Sequence, residues 1–167
     1  MGRYIRDIEL YLPETEVENE LELFLQGQEF SRTTWKDEIC FAASYKWGGN
    51  VAINRGNLKE LYFFKYRYEN GILHLEAWIK DGKKGERSPD SFAGMDLNKP
   101  YWDSLIKLED RLIGKLPADS DLHKRNQVYV TDVKKNSNRK WVTWGIFIAM
   151  VYFLLMLYKS LMENGNF

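Results

Sequence analysis

Eighteen consecutive residues, Trp141 to Tyr158, carry no charge and no proline, and their single hydroxyl besides the tyrosines belongs to Thr143. At about 1.5 Å per residue a helix of that length spans roughly 27 Å, close to the ~30 Å thickness of a bilayer's hydrocarbon core. A buried C-terminal helix of a water-soluble fold is normally shorter and carries Lys or Glu along one side. Here apolar residues recur all the way round, which predicts a membrane-spanning helix over 141–158. Trp141 and Trp144 at one end and Tyr158 at the other suit the headgroup regions, where an amphipathic ring keeps its polar atom wet.

Charge on the flanks predicts an orientation. Lys134, Lys135, Arg139 and Lys140 precede the apolar stretch, whereas Lys159 follows it and is offset by Glu163. The positive-inside rule then leaves the large N-terminal part in the cytoplasm, with residues 159–167 as a short tail. This is the pattern of a single-pass, tail-anchored membrane protein whose partner through 141–158 is the lipid bilayer. The opening residues carry Arg3, Arg6, Asp7 and Glu9 where a secretory signal needs an apolar run. A lone cysteine, Cys40, has no internal disulfide partner and agrees with a reducing compartment.

The chain is neutral overall, with 24 basic and 24 acidic residues, but residues 1–133 hold 19 basic against 23 acidic groups. A domain about four charges negative is poorly suited to nucleic acid, whose nonspecific affinity comes from neutralising phosphates. The basic stretch ahead of the apolar segment reads either as a topology signal, the reading favoured by sequence alone, or as a contact for anionic lipid.

Residues 1–116 are long enough for one compact domain. Tyr4, Ile8, Leu10 and Leu12 alternate with Arg3, Asp7 and Glu9 as in a half-buried strand that Pro13 stops. Val17, Leu21, Phe24 and Leu25 then fall on one helical stripe that ends near Gly27. Phe30 to Trp35 and Glu38 to Trp47 suit strands with a turn at Lys36-Asp37, and the glycines of 47–57 mark a loop. Asn70-Gly71 between LYFFKYRY and ILHLEAWIK is a two-residue hairpin signal. Its register puts Tyr62, Phe64, Tyr66 and Tyr68 opposite Ile79, Ala77, Leu75 and Leu73, and pairs Phe63 with Trp78, Lys65 with Glu76 and Arg67 with His74. Residues 81–100 read as a long loop and Tyr101 to Leu116 as a second helix. Residues 117–140 read as a polar, basic-ended tether in which Gln127 to Val133 could add a short strand. The expected fold is α+β, a small antiparallel sheet packed with two helices in strand-helix-strands-helix order, followed by one C-terminal transmembrane helix.

Chemistry is sparse. His74, His123 and Cys40 lack metal-ligand spacing, Ser44 and Ser104 lack a nucleophile-elbow setting, and the glycines match no phosphate or dinucleotide fingerprint. No catalytic, cofactor-binding or metal residues are predicted. The outer hairpin face, with Phe63, Lys65, Arg67, His74, Glu76 and Trp78, is the candidate interaction surface, better suited to a protein partner than to nucleic acid. The expected role is a non-enzymatic protein-interaction or scaffold module held at a membrane. The alternative is a membrane-tethered enzyme or small-ligand-binding domain with its site between sheet and helices.

Overall fold

A computed structural model describes residues 2–44, 61–82, 85–91 and 95–164, and at 95–98, 136–141, 144 and 157–164 the backbone alone. The elements run β1 (Tyr4–Glu9), α1 (Glu14–Gly27), β2 (Ser31–Trp35), β3 (Glu38–Ala43), β4 (Tyr62–Glu69), β5 (Ile72–Asp81), β6 (Gly85–Arg87), α2 (Met95–Gly114) and α3 (Asp121–Asn164). The six strands form one antiparallel sheet in the order β1-β5-β4-β3-β2, with β6 also paired to β5. Two compact units result, residues 1–130 and residues 131–167.

The sheet is a meander from β2 to β5, closed on one side by β1. Each turn has its cause in the sequence. Lys36 and Asp37 (φ 48° and 68°) join β2 to β3, and Asn70 and Gly71 (φ 54° and 79°) join β4 to β5. Consecutive left-handed residues give the turn whose twist matches a hairpin. The β4–β5 register is the predicted one, from Tyr62 opposite Ile79 to Tyr68 opposite Leu73. Gly71 also anchors β1, because its carbonyl accepts from the amides of Leu10 and Tyr11 at 2.8 and 2.9 Å. A Cβ at Gly71 would run into the Tyr11 ring.

One side of the sheet carries the main core. Helix α1 starts on the Pro13 carbonyl, which accepts from Glu16 and Val17, with Glu14 and Glu16 favourably placed at its positive end. It buries Val17, Leu21, Phe24 and Leu25, and α2 buries Trp102, Leu105, Ile106, Leu108, Leu112 and Ile113. The helices face the inward rings of β4. Phe24 lies 5.0 Å from Phe64, and Tyr101 stacks on Tyr62 at 4.6 Å. Glu20 of α1 reaches Arg111 (3.3 Å) and Lys115 (3.2 Å), which ties the two helices together at their rim.

Helix α2 begins at Met95, six residues before Tyr101, and the expected 81–100 loop also contributes β6. Pro100 is the sixth residue of α2, past the first turn, so the helix runs through it without the bond that an amide there would give to the Asp96 carbonyl. Residues 121–140 are helical rather than an irregular tether, and Gln127 to Val133 form part of α3 instead of a strand. Val130 is 1% exposed, so the first unit extends past residue 116. The loop expected at 47–57 lies outside the described residues.

Among the described residues no helix is long and apolar enough to cross a membrane. The uninterrupted described apolar run is Gly145 to Met156, roughly 18 Å at helical rise. Trp141, Trp144, Leu157 and Tyr158 lie outside the described side chains. The fold therefore establishes a long C-terminal helix, and its relation to a bilayer is a matter of function.

Replacing Gly71 with Ala should destabilise the first unit by about 1–3 kcal/mol, because both the positive φ and the Tyr11 contact oppose a side chain. Urea unfolding of the full chain in mild detergent, followed by tryptophan fluorescence, reads this out. An unchanged midpoint would contradict the assigned turn.

Candidate functional site

The predicted interaction surface divides into a covered half and an open half. Phe63 and Trp78, cross-strand neighbours on β4 and β5, stack with centroids 5.4 Å apart and are fully buried. With Cys40 and Ala42 of β3 they make a second, smaller core on the side of the sheet away from α1 and α2. Trp35 packs on Phe63 at 4.7 Å, and the Arg3 guanidinium lies 4.0 Å from the centre of the Trp78 ring. Neither ring is available to stack a ligand, so the aromatic part of the expected surface is structural. Cys40 is 1% exposed and has no opening to act as a reactive thiol.

Arg3 is the hub of this cover. Its guanidinium pairs with Glu38 (2.9 Å), Glu76 (2.8 Å) and Glu86 (3.0 Å) from three different strands. Glu86 also accepts from the Trp35 indole at 2.8 Å and pairs with Lys36 at 3.0 Å, while Lys65 reaches Glu38 at 3.0 Å. Its Arg3 bond, reinforced by Trp35 and Lys36, holds the Glu86 carboxyl down at about 2, and bonds from Arg3 and Lys65 lower Glu38. Burial alone would depress Arg3, but Glu86, Glu38 and Glu76 more than reverse this and keep it charged.

The open half is a shallow depression of about 210 Å³ lined by Lys65, Tyr66, Arg67, His74 and Glu76. The cross-strand pairs Lys65–Glu76 and Arg67–His74 bring four of its side chains together. Asp7 of β1 lies opposite His74 and contacts its Nδ1, which orients the imidazole. Both signs of charge are present and solvent reaches them all. The arrangement presents hydrogen-bond donors and acceptors side by side on an open strand face. Among the described residues no group of three His, Cys, Asp or Glu could hold a metal.

A buried polar cluster went unforeseen in the sequence. Glu109 of α2 is completely buried, accepts from the Tyr4 hydroxyl at 2.7 Å and lies 3.8 Å from Arg6 Nε, while its Oε2 has no hydrogen-bond partner. The Arg6 guanidinium in turn covers the Tyr129 ring of α3 at 3.3 Å. Burial raises the Glu109 carboxyl, with the Tyr4 bond and Arg6 opposing. The signal was present: Glu109 lies four residues after Leu105 and three before Leu112, on the apolar stripe itself. Nearby, Asn126 donates to the Glu9 carbonyl at 3.0 Å and Arg125 pairs with Glu9 at 3.2 Å, which fixes the first turns of α3 to the end of β1.

The residues expected to flank a membrane all fall on α3. Lys134 and Lys135 are exposed, and Arg139, Lys140, Trp141, Trp144 and Tyr158 occupy helical positions whose side chains lie outside the described residues. Comparison with protein-family models, curated proteins and solved structures finds no match.

Two substitutions separate these clusters. Arg3→Gln should cost about 3 kcal/mol, the scale for leaving partly buried charges unpaired. Glu86 and Glu38 have folded-state pKa values below their unfolded ones, so the stability they contribute is present above about pH 4.5 and lost as pH falls towards 2. Acid unfolding curves should show that loss in the wild type and a weaker pH dependence in Arg3→Gln. Glu109 has the opposite sign: its contribution is present below the unfolded pKa and lost as pH rises through the raised folded one. Glu109→Gln should therefore gain stability relative to the wild type as pH rises from about 4.5 to 8. A constant difference between the two proteins across that range would refute the buried-charge assignment.

Proposed function

We propose that the chain is a membrane-anchored protein-interaction module, with residues 1–130 displayed at a bilayer surface by the apolar part of α3. One observation carries this reading. Eleven large apolar side chains between Val142 and Met156 are 40–63% exposed, distributed round the whole helix rather than along one stripe. Taking each out of water is worth about 1.5–3 kcal/mol. A helix that lies in a membrane surface has a polar face opposite the apolar one, and Gly145 to Met156 offers none. The uncharged stretch 141–158 supplies the full length that a span requires.

The basic excess before that stretch supports a cytoplasmic location for the N-terminal unit. The interaction surface on this reading is the open patch of Lys65, Arg67, His74 and Glu76 with Asp7, and its occupant is a protein carrying both signs of charge. An enzymatic role with a site between sheet and helices has less support, since Phe24, Phe30, Tyr62, Phe64 and Tyr101 are in ring contact in that space.

Fractionation of cells that express the full chain tests the anchor. The protein should sediment with membranes, stay there through high salt and alkaline carbonate, and leave only in detergent. Ile148→Lys combined with Leu155→Lys should release it, since each central lysine costs about 2.5–3.5 kcal/mol on insertion. A wild-type chain that remains in the supernatant as a monomer would refute the reading.

A further inference from the structure

Resting on the membrane reading just given, we infer that residues 134–140 form a collar that selects anionic phospholipid headgroups around α3. The new observation is helical continuity. The sequence reads this stretch as a tether, along which four positive charges have no common depth, whereas α3 runs unbroken from Asp121 to Asn164. The rise of the helix then sets the height of each basic residue above the apolar stretch. Lys140 and Arg139 lie roughly 2–3 Å before Trp141, and Lys135 and Lys134 roughly 9–11 Å before it. These heights fall in or next to the headgroup layer, and flexible lysine stems reach the remainder.

Their disposition also matters. At 100° per residue, Lys134, Lys135, Arg139 and Lys140 stand at roughly 0, 100, 140 and 240° round the axis. This is a ring and not a stripe. A stripe would suit a helix lying flat, and a ring suits a helix that enters the bilayer steeply and meets lipid on all sides. Segment 134–140 contains no Asp or Glu to neutralise it. The opposite flank has Lys159 countered by Glu163, so the attraction is confined to one leaflet. Phosphate-bearing anionic headgroups are the chemistry that four close cations recognise, and zwitterionic phosphatidylcholine offers them no net charge.

Trp141 and Trp144 adjoin the collar and report on its lipid neighbours. The full chain is reconstituted in vesicles of phosphatidylcholine and phosphatidylglycerol in equal amounts, with bromine placed near the headgroup end of the acyl chains of one lipid or the other. Brominated phosphatidylglycerol should quench the accessible tryptophan emission about threefold more strongly than brominated phosphatidylcholine at low salt, and the preference should shrink in high salt. With Lys134, Lys135, Arg139 and Lys140 all changed to Gln, the two lipids should quench alike. Equal quenching in the wild type would overturn the collar and leave the anchor standing, as would a preference that survives the fourfold change. Absence of quenching by either lipid would overturn the anchor itself.

Discussion

Eleven large apolar side chains of α3 between Val142 and Met156 are exposed, and the proposed bilayer contact is the means by which they leave water. Helices α1 and α2 show the contrast. Each has one buried stripe, satisfied by the sheet, and a polar back that solvent covers. The stretch Gly145 to Met156 has no such back, because apolar residues fill its circumference. On the proposed reading its surroundings are lipid, which is apolar all round and needs no shaped partner.

Within the first unit, two charge clusters work by opposite logic. Arg3 gathers three glutamates at a partly wet rim, where each carboxylate keeps some solvent and gains a charge-assisted bond. The cluster covers the Trp78 ring and pins β1, β3, β5 and β6 to each other. Glu109 is buried outright with one oxygen unpartnered, and its neighbour Arg6 stands 3.8 Å away. The first arrangement stabilises the charged form of its acids and the second disfavours it. The sheet is thus fastened by polar contacts on one side and by aromatic packing against helices on the other.

Local signals made most of the first unit readable. The Asn70-Gly71 turn determines which side chains oppose each other over eight pairs, so the β4–β5 register followed from the chain alone. The stripes of α1 and α2 were readable because each has one period and one buried side. What escaped depended on distant partners. Phe63 and Trp78 alternate with charged residues as exposed strand positions do, and only the arrival of Trp35 and Arg3 buries them. Residues 121–140 are too polar to announce a helix by periodicity, but α3 continues through them, and its start is fixed by Asn126 and Tyr129 against β1. Of the expected surface, Lys65, Arg67, His74 and Glu76 remain together, because cross-strand pairing does not depend on what covers the sheet.

The most direct measurement is a depth profile along α3. Single cysteines placed in turn from Val142 to Met156 in the full chain, with Cys40 replaced by Ala, are spin-labelled in vesicles and their oxygen and aqueous-reagent accessibilities compared. A spanning helix predicts a smooth rise in oxygen accessibility to a maximum near Ala149 and Met150 and a fall on either side, with the aqueous reagent excluded at the centre. An accessibility that oscillates every 3.6 residues at constant depth, or that stays water-like throughout, would contradict the account.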